Sequence, residues 1–206
     1  MLIGVDMDDV IFPYNRGFLL FHNANFGTHL RREQFRHFSY KTVLESVGTV
    51  VTDEEVSRRI MAYESSVFFR DRDVIPGSKN VLRHLKENNH DLVIITSRRE
   101  ELLGITGKWI KKNFRGIFND VYFASRDPRI GGKSKYEYCY ELGVDVLLED
   151  QFENALLCEH AVQRCVYLFD APWNRPWQRI GSSNKSSKLP TGVIRVKGWS
   201  DIRRYL

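Results

Sequence analysis

Short, almost uninterrupted apolar runs recur along this 206-residue chain, at LIGVD (2–6), LVIIT (92–96), DVYFA (120–124), DVLLE (145–149) and CVYLF (165–169). Helical patterns separate the later runs, at about 78–89, 99–113, 134–142 and 152–161. A strand that is apolar along its whole length has both faces covered. Regular alternation with helices therefore predicts an α/β fold built on a parallel sheet. Sheets of this kind bind ligands beyond the carboxyl ends of their strands. The residues that follow each run are thus the first place to look for chemistry.

One interval breaks the alternation. From Tyr14 to Asp73 the chain offers amphipathic helical stretches rich in aromatics, GFLLFHNANF, RREQFRHFSY and EEVSRRIMAYESSVFF, and no strand with a following helix. The alternating pattern resumes at VIPGSKNVLRHL, where Pro-Gly and Ser78 mark a turn and a helix start. The expectation is a core formed by residues 1–13 and 74–206, with residues 14–73 as a small helical insertion. Its place directly after the first strand would let it act as a cap. RIGSSNKSSKLPTG, around 179–192, reads as a flexible surface loop.

The first run leads straight into Asp6, Asp8 and Asp9. Side chains alternate along an extended strand, so Asp6 and Asp8 point to one side and Met7 to the other. Two carboxylates about 4 Å apart repel by roughly 4 kcal/mol at an effective dielectric near 20, so something must offset their crowding. A second Asp-x-Asp pair, Asp71 and Asp73, follows no buried strand and reads as surface charge. Other strand ends add to the first pair. The run at 92–96 ends in Thr96 and Ser97, whose hydroxyls and N–H groups fit either a helix cap or an anion site, with Arg98 and Arg99 behind them. The run at 145–149 is followed by Asp150. Together Asp6, Asp8 and Asp150 form an oxygen-rich anionic set that suits Mg²⁺, a hard cation that prefers carboxylates, carbonyls and water. Lys133 and Lys135, ahead of the helix at 134–142, are candidates to hold a phosphoryl oxygen.

Composition narrows the function classes. A formal charge of +5 favours an anionic partner, although the basic residues are scattered along the chain. No stretch approaches the roughly 20 apolar residues of a membrane span. The opening residues enter a strand directly, so the expected location is cytoplasmic, with no membrane partner. Cys139, Cys158 and Cys165 are odd in number and lack CxxC spacing, which points to reduced thiols. No GxGxxG follows the first strand, which disfavours a dinucleotide binder. No HExxH occurs, and His22, His29 and His37 are too loosely spaced to suggest zinc.

Taken in order, these residues resemble the haloacid dehalogenase-like (HAD) hydrolase superfamily. The match comprises Asp6 and Asp8 after the first strand, Thr96 after the second, Lys135, and the acidic pair Glu149 and Asp150. Within it the chain looks most like the 5'-nucleotidase group that contains the 5'(3')-deoxyribonucleotidases. VDMDDVI, IPGSKNVLRHL, VIITSR, KSKYEYCYELGVDVLLED, VYLFDAPWNR and VKGWSDI carry that likeness. The resemblance implies a HAD-like Rossmannoid three-layer α/β core with a parallel sheet and a small helical cap inserted after strand 1.

The resemblance also implies roles. Asp6 would be the nucleophile and Asp8 the general acid and base. Thr96 and Lys135 would grip the phosphoryl group, and Asp6, the Asp8 backbone carbonyl and Asp150 would hold Mg²⁺. Glu149 stands where many relatives have a second Asp. Lys133 competes with Lys135, which is preferred because the lysine, helix, Leu-Gly pattern begins there. Ser97, Arg98 and Phe12 are candidate substrate contacts by position. Phe12, Phe18 and Phe21 also have the spacing of core residues.

The implied activity is Mg²⁺-dependent phosphomonoester hydrolysis, most simply of (deoxy)nucleoside monophosphates. Another small phosphorylated metabolite or a nucleic-acid 3'-phosphate is the alternative substrate. A catalytically silent binding module is the alternative outside enzymes. Nucleic acid itself is not the favoured partner, and a homodimer is left open.

Overall fold

The computed structural model describes residues 1–37, 39–125, 127, 129, 131–175 and 189–206. The loop expected at 179–192 therefore lies outside the described residues up to 188. Contacts divide the chain into two compact units. One comprises Met1–Ile11, Val74–Asp170 and Leu189–Leu206. The other comprises Phe12–Asp73 and Ala171–Lys188, the latter segment described as far as Arg175.

The first unit is an α/β core. Its strands are β1 (Leu2–Val5), β2 (Asp91–Thr96), β3 (Asp120–Phe123), β4 (Val146–Glu149), β5 (Cys165–Phe169) and β6 (Val193–Val196). They form one sheet in the order β3-β2-β1-β4-β5-β6, and every neighbouring pair is parallel. The interior strands are sealed on both faces: Ile3, Val5, Leu92, Ile94, Ile95, Val146, Leu147, Leu148, Val166 and Leu168 are all buried. That is why their sequences read as continuous apolar runs.

Between the strands lie α5 (Ser78–Glu87), α6 (Leu103–Asn113), α7 (Lys135–Leu142) and α8 (Phe152–Cys158), with α9 (Trp199–Tyr205) at the end. α5 packs on β2 and on α9, whereas α7 and α8 pack on each other and α8 on β4 and β5. Right-handed crossovers place α5 and α6 on one face and α7 and α8 on the other, giving helix–sheet–helix layers. The chain runs outward from β1 to β3, then returns to β4 on the other side of β1. The strand order thus reverses beside β1, and the carboxyl ends of β1, β2 and β4 border the resulting crevice.

β6 and α9 follow no apolar run of the kind described above. β6 is four residues long at the sheet edge, with Ile194 exposed and Arg195 half-buried. Four residues with an exposed Ile194 and a charged Arg195 at their centre carry too few consecutive apolar positions to stand out from a loop. α9 is anchored by Trp199, whose Nε1 donates to the Val10 carbonyl at 3.0 Å.

The second unit is helical. It contains α1 (Tyr14–Phe26), α2 (Tyr40–Glu45), α3 (Asp53–Glu64) and α4 (Val67–Arg70), with single 3-10 turns at Arg32–Gln34 and Pro172–Asn174. Phe12, Tyr14, Phe18, Phe21, Tyr63 and Phe69 form its buried aromatic centre, with Tyr14 and Tyr63 edge to face at 5.1 Å. The Tyr14 hydroxyl donates to the buried Glu64 carboxylate at 2.8 Å. α1 approaches α3 closely because residue 17 is glycine. A Cβ there would stand 2.1 Å from the Tyr63 hydroxyl.

Candidate active site

Asp6 directly follows β1 and continues its pairing, its N–H donating to the Leu148 carbonyl at 2.9 Å. Met7 is fully buried on the opposite side from Asp6. The chain then turns. Ile11 N–H donates to the Met7 carbonyl at 3.0 Å, and Asp9 takes the left-handed conformation at φ 57°, which Asp tolerates better than most residues. Asp8 lies on this turn, half-buried.

Lys135 is the first residue of α7 because Ser134 caps the helix. Glu137 N–H donates to Ser134 Oγ at 3.1 Å, and Ser134 N–H donates back to Glu137 Oε2 at 2.7 Å. This capping box fixes the helix start and aims Lys135 inward, while Gly143 ends the helix in the left-handed region at φ 65°. The buried Lys135 Nζ lies 2.9 Å from Asp6 Oδ1 and 2.6 Å from Glu149 Oε2. Lys133, by contrast, is exposed and pairs with Glu141.

Burial and charge act against each other here. Burial pushes the Asp6 carboxyl up to about 7, opposed by Lys135 and reinforced by Glu149 and Asp8. Burial alone would lower the Lys135 ammonium, but Asp6 and Glu149 outweigh it and hold the group above its ordinary range. Lys135 therefore stays charged between two carboxylates.

Glu149 is itself fully engaged. Its Oε2 accepts from Lys135, and its Oε1 accepts from the N–H groups of Asp150 at 3.1 Å and Gln151 at 2.9 Å. Oxygens of Asp6, Glu149 and Asp150 all lie within 4.8 Å of one another, and all three residues are buried. With Glu149 committed to Lys135 and the backbone, Asp6 and Asp150 are the carboxylates placed to take a cation. The donor chemistry fits Mg²⁺, being all oxygen and mostly charged. Counted as ionised, Asp6, Asp8, Glu149 and Asp150 face Lys135 and Arg98, leaving an excess of negative charge that one divalent cation matches.

Thr96 ends β2 and is buried, its Oγ1 accepting from Arg98 N–H at 3.3 Å. Ser97 is half-buried beside it. The helix expected from residue 99 begins with a 3-10 turn at Glu100–Leu102 and becomes α-helical at Leu103. Arg98 is buried and faces Asp8. Its Nη2 donates to Asp8 Oδ1 at 2.6 Å, its Nε lies 3.1 Å from both Asp8 oxygens, and its Nη1 donates to Thr106 Oγ1 at 3.0 Å. Thr106 carries no signal in the sequence: a threonine in mid-helix is usually a packing residue.

The first unit thus brings together Asp6, Asp8, Thr96, Ser97, Arg98, Lys135 and Asp150. Phe12 falls in the helical unit, its buried ring 5.0 Å from that of Phe69. Asp71 and Asp73 are exposed. Among the described residues no helix is long and apolar enough to cross a membrane.

Comparisons with known proteins identify the family. The family model described as 5' nucleotidase, deoxy (pyrimidine), cytosolic type C matches residues 1–203. Two proteins named "Putative nucleotidase" are similar over nearly the whole length. BH1399 of Halalkalibacterium halodurans is 23% identical over 203 residues, 98% of this chain and 91% of that protein. YqfW of Bacillus subtilis is 22% identical over 204 residues, 99% and 92%. Among solved structures, the haloacid dehalogenase-like family hydrolase SP0104 of Streptococcus pneumoniae superimposes with a TM-score of 0.65 at 11% identity, covering 100% of this chain and 98% of that one. The chain belongs to the cytosolic type C 5' nucleotidase family, within the HAD-like hydrolases, and is an enzyme of the phosphatase class.

Proposed function

We propose that the protein hydrolyses nucleoside monophosphates with Mg²⁺, through an aspartyl-phosphate formed on Asp6. The observation that carries this reading is the Asp6 carboxylate, buried at the end of β1 with Lys135 Nζ 2.9 Å away and Asp150 beside it. A buried carboxylate steadied by a fixed cation is suited to attack an anionic phosphorus centre.

In the first step an Asp6 oxygen forms a bond to phosphorus. The phosphorus–oxygen bond to the alcohol breaks, and Asp8 gives its proton to the departing oxygen. In the second step Asp8 takes a proton from water, whose oxygen attacks the phosphoryl group. Inorganic phosphate leaves and the Asp6 carboxylate is restored. The i, i+2 spacing supports this division of labour, keeping Asp8 beside Asp6 without making it the nucleophile. Thr96 and Lys135 grip the phosphoryl oxygens, with Ser97 next to Thr96 as a further contact.

Asp6, the Asp8 backbone carbonyl and Asp150 are the groups that would hold Mg²⁺. There the ion would screen the negative nucleophile from the negative substrate and polarise a phosphoryl oxygen. The nucleotide assignment draws its support from the family match over residues 1–203 and from the two similar proteins named as nucleotidases. The family's description as cytosolic supports a cytoplasmic setting.

The test is phosphate release from a panel of ribo- and deoxyribonucleoside monophosphates and small phosphate esters, with Mg²⁺ and with EDTA. Mg²⁺-dependent release from nucleotides is expected. Release confined to non-nucleotide esters would discard the substrate class and keep the chemistry.

A further inference from the structure

The buried guanidinium of Arg98 is built into the site more firmly than a substrate contact requires. Its side chain is 1% exposed, against 26% for the side chain of Asp8. Its backbone N–H is tied to Thr96 at the end of β2, and its Nη1 to Thr106 on α6. The arginine is thus braced from two elements of the core, while the carboxylate it holds sits on a turn. A planar guanidinium meeting a carboxylate through two nitrogens fixes orientation as well as distance.

The two Asp8 oxygens are not equivalent in this grip. Oδ1 faces Nη2 at 2.6 Å and Nε at 3.1 Å, whereas Oδ2 faces only Nε at 3.1 Å. We propose that Arg98 is a positioning residue that locks the Asp8 carboxylate in register with Asp6 and leaves Oδ2 as the oxygen that gives and takes the proton. This rests on the proposed phosphatase chemistry, because it gives Arg98 a purpose only if Asp8 transfers a proton. Without Arg98, Asp8 would still be present but free to turn about its side-chain torsions. The penalty would fall on proton transfer.

The two kinds of leaving group separate this role from substrate binding. A nucleoside alcohol must be protonated as it leaves, whereas p-nitrophenolate departs without a proton. The ratio kcat/KM includes only steps through the first irreversible one, here formation of the aspartyl-phosphate. For Arg98→Lys, kcat/KM for a nucleoside monophosphate should fall about 10- to 100-fold, within the range that general acid catalysis supplies. For p-nitrophenyl phosphate it should change by less than about 3-fold. Thr106→Val, which removes only the brace behind Arg98, should show the same asymmetry more weakly. Equal losses on both esters, or no loss on either, would overturn the proposal.

A crystal structure of Arg98→Lys reads the same claim without turnover. The Asp8 carboxylate should be turned from its present orientation or spread over several, and an unmoved carboxylate would overturn the assignment. Failure of the wild-type protein to release phosphate from either ester would instead count against the phosphatase reading, and the Asp8 orientation would still decide the role of Arg98.

Discussion

Lys135 Nζ bridges Asp6 and Glu149, 2.9 Å from one carboxylate and 2.6 Å from the other, with all three groups buried. Removing the cation would leave two buried carboxylates without their counter-charge. Loss of one partner from a buried ion pair costs about 3–5 kcal/mol. Lys135→Met should therefore lower stability by about that amount in urea unfolding and reduce phosphate release by at least about 100-fold. A variant as stable as the wild type would show that the bridge contributes no net stabilisation.

Asp150 and Glu149 are adjacent in sequence but differ in what they can offer a metal. Glu149 spends its oxygens on Lys135 and two backbone N–H groups. A cation that binds only the folded protein raises the unfolding temperature by mass action. Mg²⁺ should raise the wild-type Tm, and Asp150→Asn should abolish that rise. Glu149→Gln should lower the baseline Tm yet keep a response to Mg²⁺. Loss of the response in Glu149→Gln alone would assign the metal to the wrong carboxylate.

His22 is buried in the helical unit. Its Nε2 lies 2.9 Å from Arg59 Nη1 and its Nδ1 lies 2.8 Å from Thr28 Oγ1. Thr28 donates its own proton to Asn23 Oδ1 at 2.8 Å, so Nδ1 carries the imidazole proton and Nε2 accepts from Arg59. Burial first, and Arg59 second, lower the imidazole from 6.5 to about 4. At this group the unfolded chain then binds more protons than the folded one between those values, so the stability contributed by His22 rises with pH across that window and is lost on acidification. The difference corresponds to on the order of 3 kcal/mol. The raised Asp6 carboxyl acts with the opposite sign over the same window in both proteins. The contribution of His22 is therefore read as a difference: in thermal unfolding from pH 4 to pH 7, the stability of wild type should rise relative to that of His22→Gln. Equal slopes in both proteins would remove His22 as the cause.

Gly17 sets the spacing between α1 and α3. An alanine would gain roughly 0.5–1 kcal/mol of helix propensity. Its Cβ, however, would meet the Tyr63 hydroxyl, which donates to the Tyr14 carbonyl at 3.0 Å. Overpacking of this kind costs about 1–3 kcal/mol, so Gly17→Ala should lower the Tm. A raised Tm would mean that Tyr63 can move aside at little cost.

The α/β fold was legible because the buried strands β1, β2, β4 and β5 have no polar face to confuse the pattern. Asp6, Thr96, Lys135 and Asp150 could be picked out because each follows an apolar run or opens the helix before one. β6 was not legible, since the exposed Ile194 and the charged Arg195 leave its four residues without an apolar run. Neither was the link between Arg98 and Asp8: the two residues are 90 positions apart, and only the register of β1 beside β2 brings their side chains together. The preference for Lys135 over Lys133 came from the lysine, helix, Leu-Gly pattern; the physical difference between the two lies in Ser134, whose cap turns Lys135 inward and leaves Lys133 in solvent.

The most direct test of the proposed chemistry is to look for the covalent intermediate on Asp6. The enzyme is mixed with a nucleoside monophosphate and Mg²⁺, quenched in acid within the first turnovers, and mapped by peptide mass spectrometry. The expected result is a phosphoryl group on the peptide that contains Asp6, absent in Asp6→Asn and absent with EDTA. Steady phosphate release with no phosphorylated peptide at any time, or full activity in Asp6→Asn, would contradict an aspartyl-phosphate mechanism.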